Sequence, residues 1–321
     1  MQKKQPLVIL TGPTAVGKTR LSVELAQRIG GEIISADSMQ VYKGMDIGSA
    51  KVTPEEMRGV PHHLIDELDP WEDFHVVKFQ EMASRYIREI SSRSHIPILT
   101  GGTGFYIQAV LYGIDFTEHG SDTSYRESLE TLAQERNPQV LHDMLRAVDP
   151  ASAEAIHANN VKRVIRALEF YHATGKRISA HNMEERQKES PYNFAYFVLN
   201  DDRAALYERI DRRVDEMMAA GLLEEVKRLQ EAGCTRDMVS MQGLGYKEML
   251  DYLSGKYTLD EAVRILKRDT RHFAKRQLTW FRREREVIWL NKGDFQYQDE
   301  RLLERILEIL YDKRILLQGY S

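Results

Sequence analysis

The chain has 321 residues, 42% of them hydrophobic and 29% charged, enough for two domains or for one domain carrying a large insertion. Its formal net charge of −4 excludes a uniformly basic nucleic-acid coat but leaves room for a local basic channel. One cysteine, Cys234, excludes a disulfide framework and a cysteine-built zinc module within the chain.

Leu7-Val8-Ile9-Leu10 is a short apolar run, too short for a signal-peptide core, and no run of about 18 apolar residues follows. A cytoplasmic chain with no membrane span is expected. The run leads into Gly12-Pro13-Thr14-Ala15-Val16-Gly17-Lys18-Thr19, and then Leu21, Val23, Leu25, Ala26 and Ile29 recur at helical spacing. The pattern predicts strand, glycine loop, helix. A second strand is expected at Ile33–Asp37, a helix at 74–92, and a third strand at His95–Thr100 leading into Gly101-Gly102-Thr103-Gly104. From Thr117 to about Tyr192 only polar helical stretches are legible, at 124–136, 138–147, 151–158 and 160–173. Phe194–Leu199 reads as a strand again, with Asp201 or Asp202 capping the long helix after it. Thr258-x-x-Glu261 has capping-box spacing and opens a helix to about Arg283, and Val287–Leu290 is a last strand. The expected fold is α/β: a P-loop-type parallel sheet core wrapped by helices, made of 1–115 and 193–321, with an all-helical insertion domain at 116–192.

Gly12-x-x-x-x-Gly17-Lys18-Thr19 is a complete phosphate-binding loop. Its glycines let successive N–H groups turn inward on phosphate oxygens, and the helix N-terminus adds positive potential. Lys18 supplies a point charge, and the Thr19 hydroxyl is a Mg²⁺ ligand in such loops. The motif implies a diphosphate or triphosphate without implying a nucleotide. A nucleotide hydrolase should also carry an apolar strand ending in a metal-binding aspartate. The nominated strand, Ile98-Leu99, ends instead in Thr100-Gly101-Gly102-Thr103. The carboxylate stands on the earlier strand as Asp37, where a metal ligand, a general base and a strand-end cap are all open readings. Ligands of open α/β sheets bind beyond the carboxyl ends of the strands, where the loop, Asp37 and Thr103 should meet, and that favours the base. Asn291-Lys292-Gly293-Asp294 spells a guanine-binding motif, but no Asp-x-x-Gly accompanies it. It is read as a surface turn.

Several stretches together resemble one family, the tRNA dimethylallyltransferases. They are the loop at 12–19, Ser35-Ala-Asp-Ser-Met-Gln-Val-Tyr-Lys-Gly-Met-Asp-Ile-Gly-Ser-Ala-Lys51, Pro61-His-His-Leu-Ile-Asp66, Gly101-Gly-Thr-Gly-Phe-Tyr106 and Ala274-Lys-Arg-Gln-Leu-Thr-Trp-Phe-Arg282. The likeness runs in order over about 7–290. It implies transfer of the dimethylallyl group of dimethylallyl diphosphate to N6 of an adenine beside the anticodon of tRNA. The resemblance casts Asp37 as general base, Thr103 as a hydroxyl beside the reacting groups, and Lys18 with Mg²⁺ on Thr19 as stabilisers of the leaving diphosphate. It also implies tRNA contacts at Asp37, Ser38, Met39, Gln40, Thr103 and Gln242, and at Arg126, Lys162, Arg163 and Arg166 of the insertion. The adenine would be flipped out of its stack into a channel between core and insertion. Some family members carry arginine at the Gln242 position. Glutamine cannot neutralise diphosphate, so either Lys275 or Arg276 takes more of that charge or Gln242 touches RNA. Other members add a zinc module, so RNA binding through core and insertion alone is expected here, with the chain a monomer.

Basic residues also cluster locally. Residues 262–290 hold nine Lys or Arg against three Asp or Glu. Val263, Leu266, Thr270, Phe273, Gln277 and Trp280 form a mainly apolar helical stripe, and Arg264, Arg268, Arg271, Lys275 and Arg282 follow one position on. A solvated charged face is the plain reading of the second stripe; the resemblance turns Arg264, Arg268, Arg271 and Lys275 into tRNA contacts. His62 and His63 are expected in core or capping roles, and Trp71, Trp280 and Trp289 in packing. Two other functions fit parts of the pattern. A P-loop small-molecule or nucleotide kinase using ATP is disfavoured by the missing strand-end aspartate. A non-catalytic RNA-binding protein would leave Lys18, Thr19 and Asp37 without a task.

Overall fold

Leu7, Val8, Ile9 and Leu10 are fully buried, a continuous apolar run such as a parallel sheet covered on both faces requires. They belong to β1 (Gln5–Thr11). The computed structural model describes residues 4–116 and 123–317. Its other strands are β2 (Gly31–Ser35), β3 (His62–His63), β4 (Ile96–Gly101), β5 (Tyr192–Asn200) and β6 (Val287–Asn291). They make one sheet in the order β3-β2-β4-β1-β5-β6, and every pairing is parallel. Leu10 lies opposite Thr100 of β4 on one side and Phe197 of β5 on the other. The carboxyl ends of these three strands are therefore level.

The helices in chain order begin with α1 (Lys18–Ile29), the single turn α2 (Pro54–Met57), α3 (Val76–Ser92) and α4 (Gly104–Tyr112). Next come α5 (Thr123–Glu135), α6 (Pro138–Val148), α7 (Pro150–Ala155), α8 (Val161–Thr174) and α9 (Ile178–Gln187). After β5 follow α10 (Arg203–Ala219), α11 (Leu222–Glu231), α12 (Tyr246–Leu253), α13 (Leu259–Phe281) and α14 (Asp299–Asp312). The chain divides into two compact units, 1–111 with 191–321, and 112–190. In the first, Leu21, Val23, Leu25 and Ala26 of α1 pack with β1 and with Leu302, Leu303, Ile306 and Leu310 of α14. In the second, Leu129, Leu141, Leu145, Val164, Ile165 and Leu168 form a separate core. Buried Asp149 ties that unit together. It accepts hydrogen bonds from N and Oγ of Ser152 (3.1 and 2.7 Å) and from N and Oγ of Ser179 (3.0 and 2.7 Å).

Several expectations need adjustment. The strand expected to end on Asp37 stops at Ser35, two residues earlier. The helix expected at 151–158 ends at Ala155, and the sequence reading places no helix at α2, α4, α9, α11, α12 or α14. Asp202 is the cap of α10, accepting from Ala204 N and Ala205 N at 2.8 and 3.1 Å. Thr258 caps α13, accepting from Glu261 N at 3.3 Å, while the Glu261 side chain pairs with Arg264. The buried face of α13 is Ala262, Leu266, Ala274, Gln277 and Phe281; Val263, Thr270, Phe273 and Trp280 are half-buried flanks. Trp71 is no packing residue: its side chain is 59% exposed.

Candidate active site

The phosphate loop connects β1 to α1, and its backbone takes conformations that few residues tolerate. Gly12 has φ 148°, and a Cβ there would stand 2.5 Å from the Leu199 carbonyl oxygen of β5. Gly17 has φ 99° and Ala15 φ 63°; the alanine holds a left-handed conformation that costs about 1–2 kcal/mol. Outside partners hold it there. Arg209 of α10 donates from Nε to Ala15 O at 3.1 Å and is itself fixed by buried Asp201, 2.5 Å from its Nη2. Tyr297 OH donates to the other Asp201 oxygen at 3.1 Å. Gln277 of α13 accepts from Thr14 N at 2.9 Å and donates to Gly102 O at 2.9 Å, bridging the loop to the glycine turn after β4. That turn is glycine for steric reasons: a Cβ at Gly101 would meet the Ala36 backbone at 2.2 Å, and one at Gly102 would meet Gln277 at 2.1 Å.

Lys18 Nζ donates to the Gly12 and Pro13 carbonyls at 3.0 and 2.8 Å, which sets the ammonium over the loop. Burial brings its pKa down to about 7, helped by the positive charge of Arg213 and opposed by Asp37. Arg213, on α10, is likewise depressed by burial and pulled up by Asp37. Among the described residues it makes no hydrogen bond or salt bridge. Asp37 Oδ1 accepts from Met39 N at 2.9 Å, which leaves Oδ2 for other work. Thr103 donates its N–H to Ala36 O at 3.2 Å, and this ties the two strand-end turns together. Asp37, Thr103, Thr14, Ala15 and Arg213 line a single cavity of about 430 Å³. Its apolar wall is built by Phe74, Tyr106, Ile210, Val214, Met217, Leu266 and Phe273.

The 38–51 segment forms another wall. Buried Glu225 of α11 accepts from Asp46 N, Ile47 N and Gly48 N at 3.0, 2.8 and 3.1 Å, and from Tyr246 OH at 2.7 Å. Lys51, its side chain 5% exposed, bonds Tyr42 O at 2.7 Å and pairs with Asp46 and Asp66 at 2.6 and 2.5 Å.

Asp37, Ser38, Met39, Thr103 and Gln242 share the cavity wall with Thr14 and Ala15 of the loop, while Gly12 and Lys18 are not part of its lining. Nor is Gln40: its amide accepts from Ser35 Oγ at 2.9 Å and donates to Ala50 O at 3.3 Å behind the wall. Gln242 donates to the Arg236 carbonyl. Arg276 lines the cavity and Lys275 is absent from its lining. Arg264, Arg268 and Arg271 already pair with Glu261, Asp269 and Asp211. In the helical unit Arg126 makes two 2.8 Å bonds to Glu169. Lys162, Arg163 and Arg166 of α8 are exposed, and among the described residues they have no ion pair.

The sequence profile of the IPP transferase family matches residues 40–284. A tRNA dimethylallyltransferase of Lachnoclostridium phytofermentans is 62% identical over 97% of this chain and 99% of its own length. The chain belongs to the IPP transferase family. A second relative, the tRNA dimethylallyltransferase of Acetivibrio thermocellus, is 50% identical over 94% of this chain and 96% of its own. Among solved structures, the full-length tRNA isopentenylpyrophosphate transferase of Bacillus halodurans has a TM-score of 0.73 at 48% identity, covering 97% of this chain and 98% of that one. A eukaryotic dimethylallyltransferase acting on tRNA reaches 0.82 at 29% identity, covering 98% of this chain and 81% of that one.

Sequence reasoning missed four residues of this IPP transferase site: Arg213, Arg209, Glu225 and Lys292. Arg213 was findable, since it sits three residues after Ile210 and four before Met217, a cation on the apolar face of a helix. Lys292 belongs to the stretch read as a surface turn. It is 18% exposed and reaches the Val16 carbonyl at 3.5 Å, so that turn braces the phosphate loop. His62 and His63 do stay out of the site: His62 bonds Val60 O at 2.8 Å and His63 bonds Glu32 at 2.8 Å.

Proposed function

We propose that this chain transfers the dimethylallyl group from dimethylallyl diphosphate to N6 of an adenine next to the anticodon of tRNA, releasing diphosphate, and that it does so as a monomer in the cytoplasm. One observation carries the reading: the Asp37 carboxylate raises the pKa of both cations, Lys18 and Arg213, and Asp37 and Arg213 line one cavity with an apolar wall. Two cations answer the leaving diphosphate, the wall suits a five-carbon tail, and the carboxylate suits an amine that must lose a proton. β4 ends in Thr100-Gly101 with no carboxylate, unlike the nucleotide hydrolase arrangement.

In the step itself the N6 lone pair forms the bond to C1 of the donor while the C1–O bond breaks. Its electron pair leaves with the diphosphate. Asp37 Oδ2 takes the N6 proton, because Oδ1 is engaged by Met39 N. Lys18, Arg213 and the loop amides meet the charge that builds on the departing oxygens. The described residues hold no cluster of three His, Cys, Asp or Glu, so Mg²⁺ here would be held by Thr19 Oγ1 and chiefly by diphosphate oxygens, adding positive charge at the leaving group. On this reading the cation that Gln242 does not supply comes from Arg213 of α10, with Arg276 also on the cavity wall, and Gln242 is left to the RNA side. The tRNA backbone would run over exposed Lys162, Arg163 and Arg166 of the helical unit and over Lys275, which like Arg282 has no carboxylate partner among the described residues. Arg126, Arg264, Arg268 and Arg271 would join by exchanging their carboxylates for phosphates.

Incubation with labelled dimethylallyl diphosphate and unmodified tRNA tests the reading. Label in the tRNA and free diphosphate are expected. Phosphate transfer from ATP in a parallel tube, with no labelled tRNA, would put the kinase in its place.

A further inference from the structure

Trp71 and Val239 are two of the large apolar side chains left exposed, at 59% and 44%, and they come from segments fastened to each other. Ser240 Oγ donates to Pro70 O at 2.6 Å, a buried bond between the residue before Trp71 and the residue after Val239. On the other side of Trp71, Tyr42 OH donates to Glu72 O at 3.1 Å, and Asp69 N donates to Glu72 Oε2 at 2.8 Å. The indole thus stands in solvent on a backbone fixed at both flanks. Val239 and Phe74, three residues past the indole, line the cavity, so the segment that carries the indole is fastened to that lining. Among the described residues Trp71 has no aromatic or cationic ring partner.

A rigid, solvent-facing aromatic beside a cavity that takes one base is the arrangement on which unpaired bases stack, whatever their identity. We propose that Trp71, flanked by Val239, is the stacking platform for a neighbouring unpaired base of the RNA whose adenine enters the cavity. The proposal rests on the tRNA reading above, and it names a contact that the phosphate loop and the charged stripes do not supply.

Fluorescence and kinetics test it together. The other two tryptophans, Trp280 and Trp289, are half-buried, so an anticodon stem-loop titrated without donor should quench the Trp71 emission. That quench should be absent from Trp71→Phe. The KM for RNA should rise about tenfold in Trp71→Ala and recover in part in Trp71→Phe, while affinity for dimethylallyl diphosphate stays within twofold. An RNA KM within twofold of the parent in Trp71→Ala overturns the platform. So does a concentration-dependent dimer that Trp71→Ala abolishes with the RNA KM unchanged, which would assign the patch to a second copy of the chain. Quenching without transfer of label would support the platform and count against the reaction alone, so the two failures are distinguishable.

Discussion

Lys18 makes donor binding sensitive to pH in a direction that can be worked out. Burial, then the charge of Arg213, takes its ammonium from the ordinary 10.5 down to about 7. A diphosphate on the loop brings opposite charge and lifts that pKa again. Binding above about pH 7 must therefore take up a proton, and each further pH unit should weaken it by about tenfold, or about 1.4 kcal/mol. Lys18→Arg is the control, because a guanidinium stays charged across this range. Inorganic diphosphate is titrated calorimetrically into both proteins at about pH 7, 8 and 9, in two buffers of different ionisation heat. Taking the difference between the proteins cancels the ligand's own titration. The parent should take up close to one extra proton per site, on the order set by linkage, and lose affinity faster than the variant. Parallel profiles for the two proteins would refute the argument. Folding has its own sign: the unfolded chain binds the extra proton between about 7 and 10.5, so stability rises with pH across that window. The cost of the buried ammonium is fully present below it.

Asp37→Asn should keep diphosphate binding and slow single-turnover transfer by about 10²–10⁴-fold; a rate within threefold of the parent would remove it as the base. Glu225→Gln should release the 46–48 wall, raising the KM for RNA more than the KM for the donor, with Glu225→Asp falling between; equal rises in both would make Glu225 a general support only. Lys162→Gln with Arg163→Gln should lower the slope of log affinity against log salt by about 0.7–0.9 per contact, equally for cognate and non-cognate tRNA. An unchanged slope would take α8 out of the RNA interface. Arg268→Gln with Arg271→Gln, read in the same titration, should act more weakly, because those arginines must first leave their carboxylates.

The sheet was legible because its signal is local. Leu7–Leu10, Ile33–Ile34, Ile98–Leu99 and Phe194–Leu199 are apolar runs, each beside a turn, and their residues are buried. The phosphate loop, Asp37 and Thr103 were legible because a fixed spacing and strand-end placement put them together. What escaped was long-range. Arg209, Glu225 and Lys292 act on backbone atoms 194, 177–179 and 276 positions away, and no periodicity marks a carboxylate that collects three amides. Gln277 was visible only as a polar residue on an apolar stripe, which in retrospect is what an inward-reaching amide looks like. Trp71 was misread because composition favours burying an indole, while the turn that carries it faces outward.

The Gln277 bridge has a consequence for biosynthesis. β1 emerges first from the ribosome, but its neighbour β5 begins at Tyr192, and the amide that fastens Thr14 lies 263 residues downstream. At about 5–20 residues per second, on the order of ten seconds or more separates the loop from its fastener. Until β5 emerges the first strand has an unpaired edge, and until Gln277 does the glycine turn lacks the donor that Gly102 O requires. Contacts of such sequence separation also slow folding after release. On the proposed reading, phosphate binding would be acquired late by the nascent protein, and a fragment ending before α13 would hold the full Gly12–Thr19 motif without the amide that fastens Thr14.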